Sequence, residues 1–158
     1  MPTKSLDNPL DIEGASEKGI NTPALVFFPD SASASIGSTV SMEVYVMGVE
    51  NLGMAYIKIN YDDSRLSLST INPGDFLQGS QNLFIYDNNV AGVIDIYTSF
   101  LGPDSSHVSG TGNMAYLVFQ AKTPGVSKVT YSSDSEFADS DDNPIQIRGF
   151  GEGVIDAN

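Results

Sequence analysis

The chain has 158 residues, twenty acidic against seven basic, a formal net charge of −13 and no cysteine. That length predicts one domain able to bury its own core, the missing cysteine excludes disulfides, zinc–thiolate sites and thiol nucleophiles, and the negative charge repels phosphate backbones, so no nucleic-acid partner is expected. No apolar run reaches the ~18–20 residues that span a bilayer and no signal-type apolar segment follows Met1, which predicts a soluble chain without membrane insertion whose charge serves solubility outside a cell or attraction to a basic partner.

Residues 1–22 mix Pro2, Pro9, Gly14 and Gly19 with scattered charges and no sustained period, the composition of a tail or linker; the domain is expected over 23–158. Ala24 to Phe28, closed by Pro29, reads as a first strand near an edge. Asp30 to Ser38 is small and polar, a loop. Thr39 to Met47 alternates, with Val40, Met42, Val44 and Val46 on one face and Ser41, Glu43 and Tyr45 on the other. Gly48 to Asn51 is expected to turn the chain.

The next stretch carries the most information. Ala55, Ile57, Ile59 and Tyr61 form an inward set, which leaves Met54, Tyr56, Lys58 and Asn60 outward, two of them large and apolar or aromatic. Turn chemistry follows at Asp62-Asp63-Ser64, alternation resumes at Leu66, Leu68 and Ile71, and Asn72-Pro73-Gly74-Asp75 turns again. Asn82 to Tyr86 is a candidate strand. Val93 to Phe100 divides into Ile94, Ile96, Thr98 and Phe100 inward and Val93, Asp95, Tyr97 and Ser99 outward, since the second set holds a charge. Gly102 to Gly112 is expected as a loop with the one histidine, His107. Met114 to Ala121 places Ala115, Leu117, Phe119 and Ala121 inward against Met114, Tyr116, Val118 and Gln120.

Val126, Val129 and Tyr131 suggest a further strand, the serine- and aspartate-rich run 132–143 surrounds Phe137-Ala138, and Ile145, Ile147, Val154 and Ile155 close the chain. No segment carries a helical stripe over three turns. Short strands at regular intervals, separated by Gly, Pro, Asn and Asp, predict an all-β, single-domain β-sandwich.

Four passages resemble the cohesin domain, the receptor module of cellulosome scaffoldins. They are Gly37-Ser38-Thr39-Val40 with the strand to Gly48-Val49; Ile59-Asn60-Tyr61-Asp62 through Leu66 and Leu68 to Asn72-Pro73-Gly74-Asp75-Phe76; Leu117 to Lys122 before Pro124-Gly125, followed by Glu136-Phe137-Ala138-Asp139; and Gly151 to Ile155. The second is the most specific. The resemblance spans about 24–156 and implies a jelly-roll sandwich of about nine strands. One flat face, built from the third, fifth, sixth and eighth, would grip a dockerin, a small calcium-loaded helical module borne by a polysaccharide-degrading enzyme. Carried onto this chain, that face holds Met54, Tyr56 and Lys58; Phe84 or Tyr86; Asp95, Tyr97 and Ser99; and Tyr116 and Val118. A secreted or cell-surface location and a non-catalytic role follow from the same resemblance. The chain departs from the common type I pattern, which has Asn and Asp where Met54 and Tyr56 stand here and a glutamate near Phe100.

The remaining motifs are weaker. Asp139-Ser140-Asp141-Asp142-Asn143 gathers oxygen ligands as calcium loops do but lacks the EF-hand spacing, so no cofactor is expected beyond a structural calcium near Asp139 and Asp141. Ser109-Gly110 beside His107 makes no nucleophile elbow, and in so acidic a chain no particular carboxylate pair marks a hydrolase. A second reading is polysaccharide binding, with Tyr56, Tyr97 and Tyr116 stacking on sugar rings as an aromatic strip. A third is a structural repeat in a surface protein.

Overall fold

Period-two patterning yields strands throughout. A computed structural model of the chain describes residues 21–76, 82–100 and 107–158 and contains no helix among them. The strands are β1 (Ala24–Phe28), β2 (Ser31–Ala34), β3 (Thr39–Tyr61), β4 (Leu66–Pro73), β5 (Asn82–Asp87), β6 (Val93–Phe100), β7 (Val108–Ala121), β8 (Gly125–Tyr131), β9 (Glu136–Asp139), β10 (Pro144–Ile145), β11 (Gly149–Phe150) and β12 (Glu152–Ala157).

The chain is built around β3, 23 residues long. Its first half pairs with β1 on one side and β7 on the other, with β11 beyond β1 and β4 beyond β7. Its second half pairs with β6, with β5 beyond, and on its other side with β9 and β8. The strand thus passes from one layer of the sandwich to the other. The expected turn at Gly48 to Asn51 is instead a bulged bend in a continuous strand. Register shifts fall between Val46 and Val49 and between Val49 and Leu52, and Gly48 (φ 62°) and Asn51 (φ 57°) take the left-handed conformation that an extra residue in a ladder needs. Thr111 Oγ1 accepts the Gly48 amide proton at 3.1 Å and Ser109 Oγ that of Asn51 at 2.9 Å, so the bend leaves neither amide unpaired.

Between the layers lies the core: Leu25 and Phe27 from β1, Met42, Val44 and Val46 from the first half of β3, Ile57 and Ile59 from the second, Ile94 and Ile96 from β6, and Leu117 and Phe119 from β7. The inward sets expected for β3 and β6 are buried where described, Val40 and Tyr61 being half-buried against the core. Phe100's side chain lies outside the described residues.

Several expectations need correction. The edge position expected for β1 is not among them: beyond β1 the described residues place the two-residue β11 alone, against Ala24 and Leu25, and β1 is apolar because both its faces are covered. The loop expected at 30–38 contains β2, which pairs in parallel with β12, its Ala34 packed with Ala121 and Ala157. Of the loop expected at 102–112, residues 108–112 already belong to β7. Met114, expected outward, is buried, because the register shift between Val44 and Tyr45 skips it in the β3–β7 ladder and turns it into the core. Val126 is exposed, Ser127 taking the inward position that period two from Val129 and Tyr131 requires. Of the expected tail only residues 21 and 22 are described; Thr22 packs against Gly48, and its carbonyl accepts from Arg148 Nη1 at 3.4 Å.

Candidate functional site

The outer face of the layer β5–β6–β3–β9 is ordered into rows by the ladder register. Residues directly opposite in an antiparallel pair share a face. The first row reads Leu83, Ser99, Met54, Ala138; the second Ile85, Tyr97, Tyr56, Glu136; the third Asp87, Asp95, Lys58. Met54 is 43% exposed, Ile85 50% and Tyr97 46%, so the first two rows present apolar and aromatic surface to solvent.

Tyr56 and Tyr97, paired across β3 and β6, stack with ring centroids 4.9 Å apart and planes 19° from parallel, an arrangement worth about 0.5–1.5 kcal/mol beyond area burial. The Tyr56 hydroxyl donates to Asp95 Oδ1 at 2.6 Å. Burial, then that hydrogen bond and the carboxylate's charge, hold the phenol well above its ordinary value, so it remains a donor at any physiological pH. The pair is therefore a fixed platform, presenting the Tyr97 ring at low entropic cost. Alongside it an open groove is lined by Met54, Tyr97, Ser99, Glu136, Pro144 and Ile147.

The structure brings together Met54, Tyr56, Lys58, Asp95, Tyr97 and Ser99 and separates the other candidates from them. Tyr86 is 47% exposed but stands opposite the inward Ile96, so it lies on the other face of β5; Phe84, opposite the buried Thr98, packs against the core. The face takes Leu83 and Ile85 instead. Four successive apolar residues hid that phase, although Asp87, two residues past Ile85, marks it. Tyr116 and Val118 lie on β7 opposite Glu43 and Ser41, on the outside of the other layer. Alternation gives their outward phase without saying which layer the strand joins, and the placement beside Tyr56 that the resemblance implies does not hold for β7. Tyr56, Tyr97 and Tyr116 consequently form no aromatic strip for a sugar chain. Glu136 and Ala138, from the short strand that completes the sheet, were missed as face residues.

Around Tyr116 the other layer is polar. Asn113 Nδ2 donates to Glu43 Oε1 at 2.8 Å, and burial, with Asp75's charge added, raises the Glu43 carboxyl against the lowering effect of that bond. The acidic run near the face organises a hairpin. Asp139 Oδ1 accepts from the amides of Asp141 at 2.9 Å and Asn143 at 2.8 Å, and Asp139 Oδ2 from Asn143 Nδ2 at 3.3 Å. These bonds, the Asn143 amide foremost, pull the Asp139 carboxyl below its usual value. That is an aspartate turn joining β9 to β10, which accounts for the spacing of Asp139 and Asp141 without an ion. Among the described residues no group of three or more His, Cys, Asp or Glu is arranged to hold a metal. His107 is exposed beside the start of β7.

The cohesin-domain family profile matches residues 25–155. No curated protein matches the chain. Among solved structures, a non-cellulosomal cohesin from the hyperthermophilic archaeon Archaeoglobus fulgidus superposes with a TM-score of 0.71 at 20% identity, over 85% of this chain and 90% of that one. The sixth cohesin of Acetivibrio cellulolyticus scaffoldin B, in complex with a Cel5 dockerin, gives 0.70 at 21% identity, over 85% and 98%. A cohesin module from a family 33 glycoside hydrolase of Clostridium perfringens gives 0.68 at 12% identity, over 87% and 98%. At these identities the likeness is one of fold.

Proposed function

The chain belongs to the cohesin-domain family, and from that premise we propose that its β5–β6–β3–β9 face receives a dockerin module of another protein. In this reading the domain is a non-catalytic receptor that anchors or assembles secreted polysaccharide-degrading enzymes, at the cell surface or in a secreted scaffold. The observation that carries the proposal is the Tyr56–Tyr97 stack, in which the exposed Tyr97 ring lies on a half-buried, hydrogen-bonded Tyr56, flanked by Met54 and Ile85. Rigid aromatic anchors within apolar surroundings are what interface hot spots are made of. Support also comes from the scaffoldin B cohesin, a structural neighbour that is itself in complex with a dockerin.

The test is titration calorimetry against a panel of calcium-loaded dockerins, beside retention assays on insoluble cellulose, xylan and chitin. A saturable one-to-one complex with at least one dockerin, abolished by chelation, and no retention on the polysaccharides are expected. Retention on a polysaccharide with every dockerin silent would overturn the proposal.

A further inference from the structure

The rows of this face run from apolar to acidic. The first row offers Leu83 and Met54, the second Ile85 and the stacked tyrosines, and the third sets Asp87 directly opposite Asp95 with Lys58 next in line. Like charges directly opposite in a ladder destabilise it, and internal pairing does not relieve this pair. The ion pairs found among the described residues are Arg65–Asp62 and Lys128–Glu152, neither of them on this face. Lys58 stands opposite Asp95 without closing an ion pair with it. Both carboxylates are held in place, Asp95 by the Tyr56 hydroxyl and Asp87 by the Asn89 amide at 2.8 Å.

Building on the docking face proposed above, we propose that this gradient selects an amphipathic helix of another protein and fixes its direction: apolar residues over the Met54 and Tyr97 rows, Arg or Lys over Asp87 and Asp95. Successive rows are two strand residues apart, about 6.8 Å, and a helix brings residues i, i+4 and i+8 into one ridge at about 6 Å intervals. One ridge therefore visits the three rows in order. Reversing the helix would set its cation on Met54 and Leu83 and leave two carboxylates desolvated beneath an apolar side chain, a burial that costs free energy. A second copy of this chain is a poor occupant. A two-fold mate in antiparallel register would lay its own Asp87 and Asp95 over the apolar row, a parallel one acid on acid, and each copy carries a net charge of −13.

The probe is a phage-displayed library of helical hairpins randomised along one i, i+4, i+8 ridge, selected on the intact chain. Binders displaced by Tyr97→Ala should carry Arg or Lys at one end of the ridge, N- or C-terminal, and apolar residues at the other, and a photo-cross-linker placed at the basic end should reach the Asp87–Asp95 row rather than the Met54 row. Against the variant D87N/D95N, which keeps both local acceptors, their affinity should fall roughly two- to thirtyfold, the loss expected of two exposed ion pairs, and by less at about 0.5 M salt. A library that yields no binder, binders without that basic excess, or cross-linking of the basic end to the Met54 row overturns the gradient, as does concentration-dependent self-association seated on this face. Failure of the dockerin reading is a separate result: ridge binders emerge with the predicted polarity while no dockerin binds.

Discussion

The ring of Tyr131 lies flat on that of Phe27, centroids 4.2 Å apart and planes 8° from parallel, and its hydroxyl donates to the Val26 carbonyl at 2.7 Å. A buried strand residue of β8 thereby clamps β1. Tyr131→Phe keeps the stack and removes the donor, leaving a buried carbonyl with one partner fewer, at a cost of about 1–2 kcal/mol. Urea denaturation should show a lower midpoint at unchanged slope, with partner affinity unaltered.

Tyr97 and Tyr86 are almost equally exposed but lie on opposite faces. Tyr97→Ala should weaken the partner complex by more than ~1 kcal/mol, as truncation of a central aromatic anchor does. Tyr86→Ala should leave affinity within error. Equal losses in calorimetry would place the contact surface around the β5 edge rather than on the outer face.

Gly48 bends β3 with φ at 62°, and a Cβ there would meet Thr22 Cβ at 2.8 Å. Gly48→Ala should destabilise the domain by about 1–2 kcal/mol through left-handed strain alone. Adding Thr22→Gly should restore only the part due to the contact, so the double variant remains below the parent in chemical denaturation.

Glu43 titrates above its ordinary 4.5 because burial disfavours its charge. The folded state therefore prefers the protonated form: the stability this preference contributes is complete below the ordinary value and is lost as pH rises through the folded one. Glu43→Gln keeps the acceptor for Asn113 and removes the charge. Its melting temperature should exceed the parent's at pH 7, the gap closing as pH falls below about 4. Asp156→Asn, at an exposed position on β12, changes net charge equally and controls for general repulsion.

The pattern within single strands was legible from the residues. Ala55-Tyr56-Ile57-Lys58-Ile59 and Ile94-Asp95-Ile96-Tyr97 each set apolar against polar at period two, and both faces fall where that period puts them. Where a strand is apolar throughout, as at Leu83 to Tyr86, the period carries no phase, and the choice fell on the wrong face. Met114 was misplaced because a bulge is a property of two strands at once. The short β9 was passed over as an acidic run because Glu136 to Asp139 owes its strand character to pairing with β3.

Alone, the sequence determined that this is an all-β sandwich and which side of β3 and β6 faces water, since side-chain alternation is a local consequence of the pleat. Only the tertiary structure decided which strands lie side by side. Register and layer are set by hydrogen bonds between residues far apart in the chain, and those bonds put Ile85 and Glu136 beside the Tyr56–Tyr97 stack and carried Tyr116 to the opposite side of the molecule.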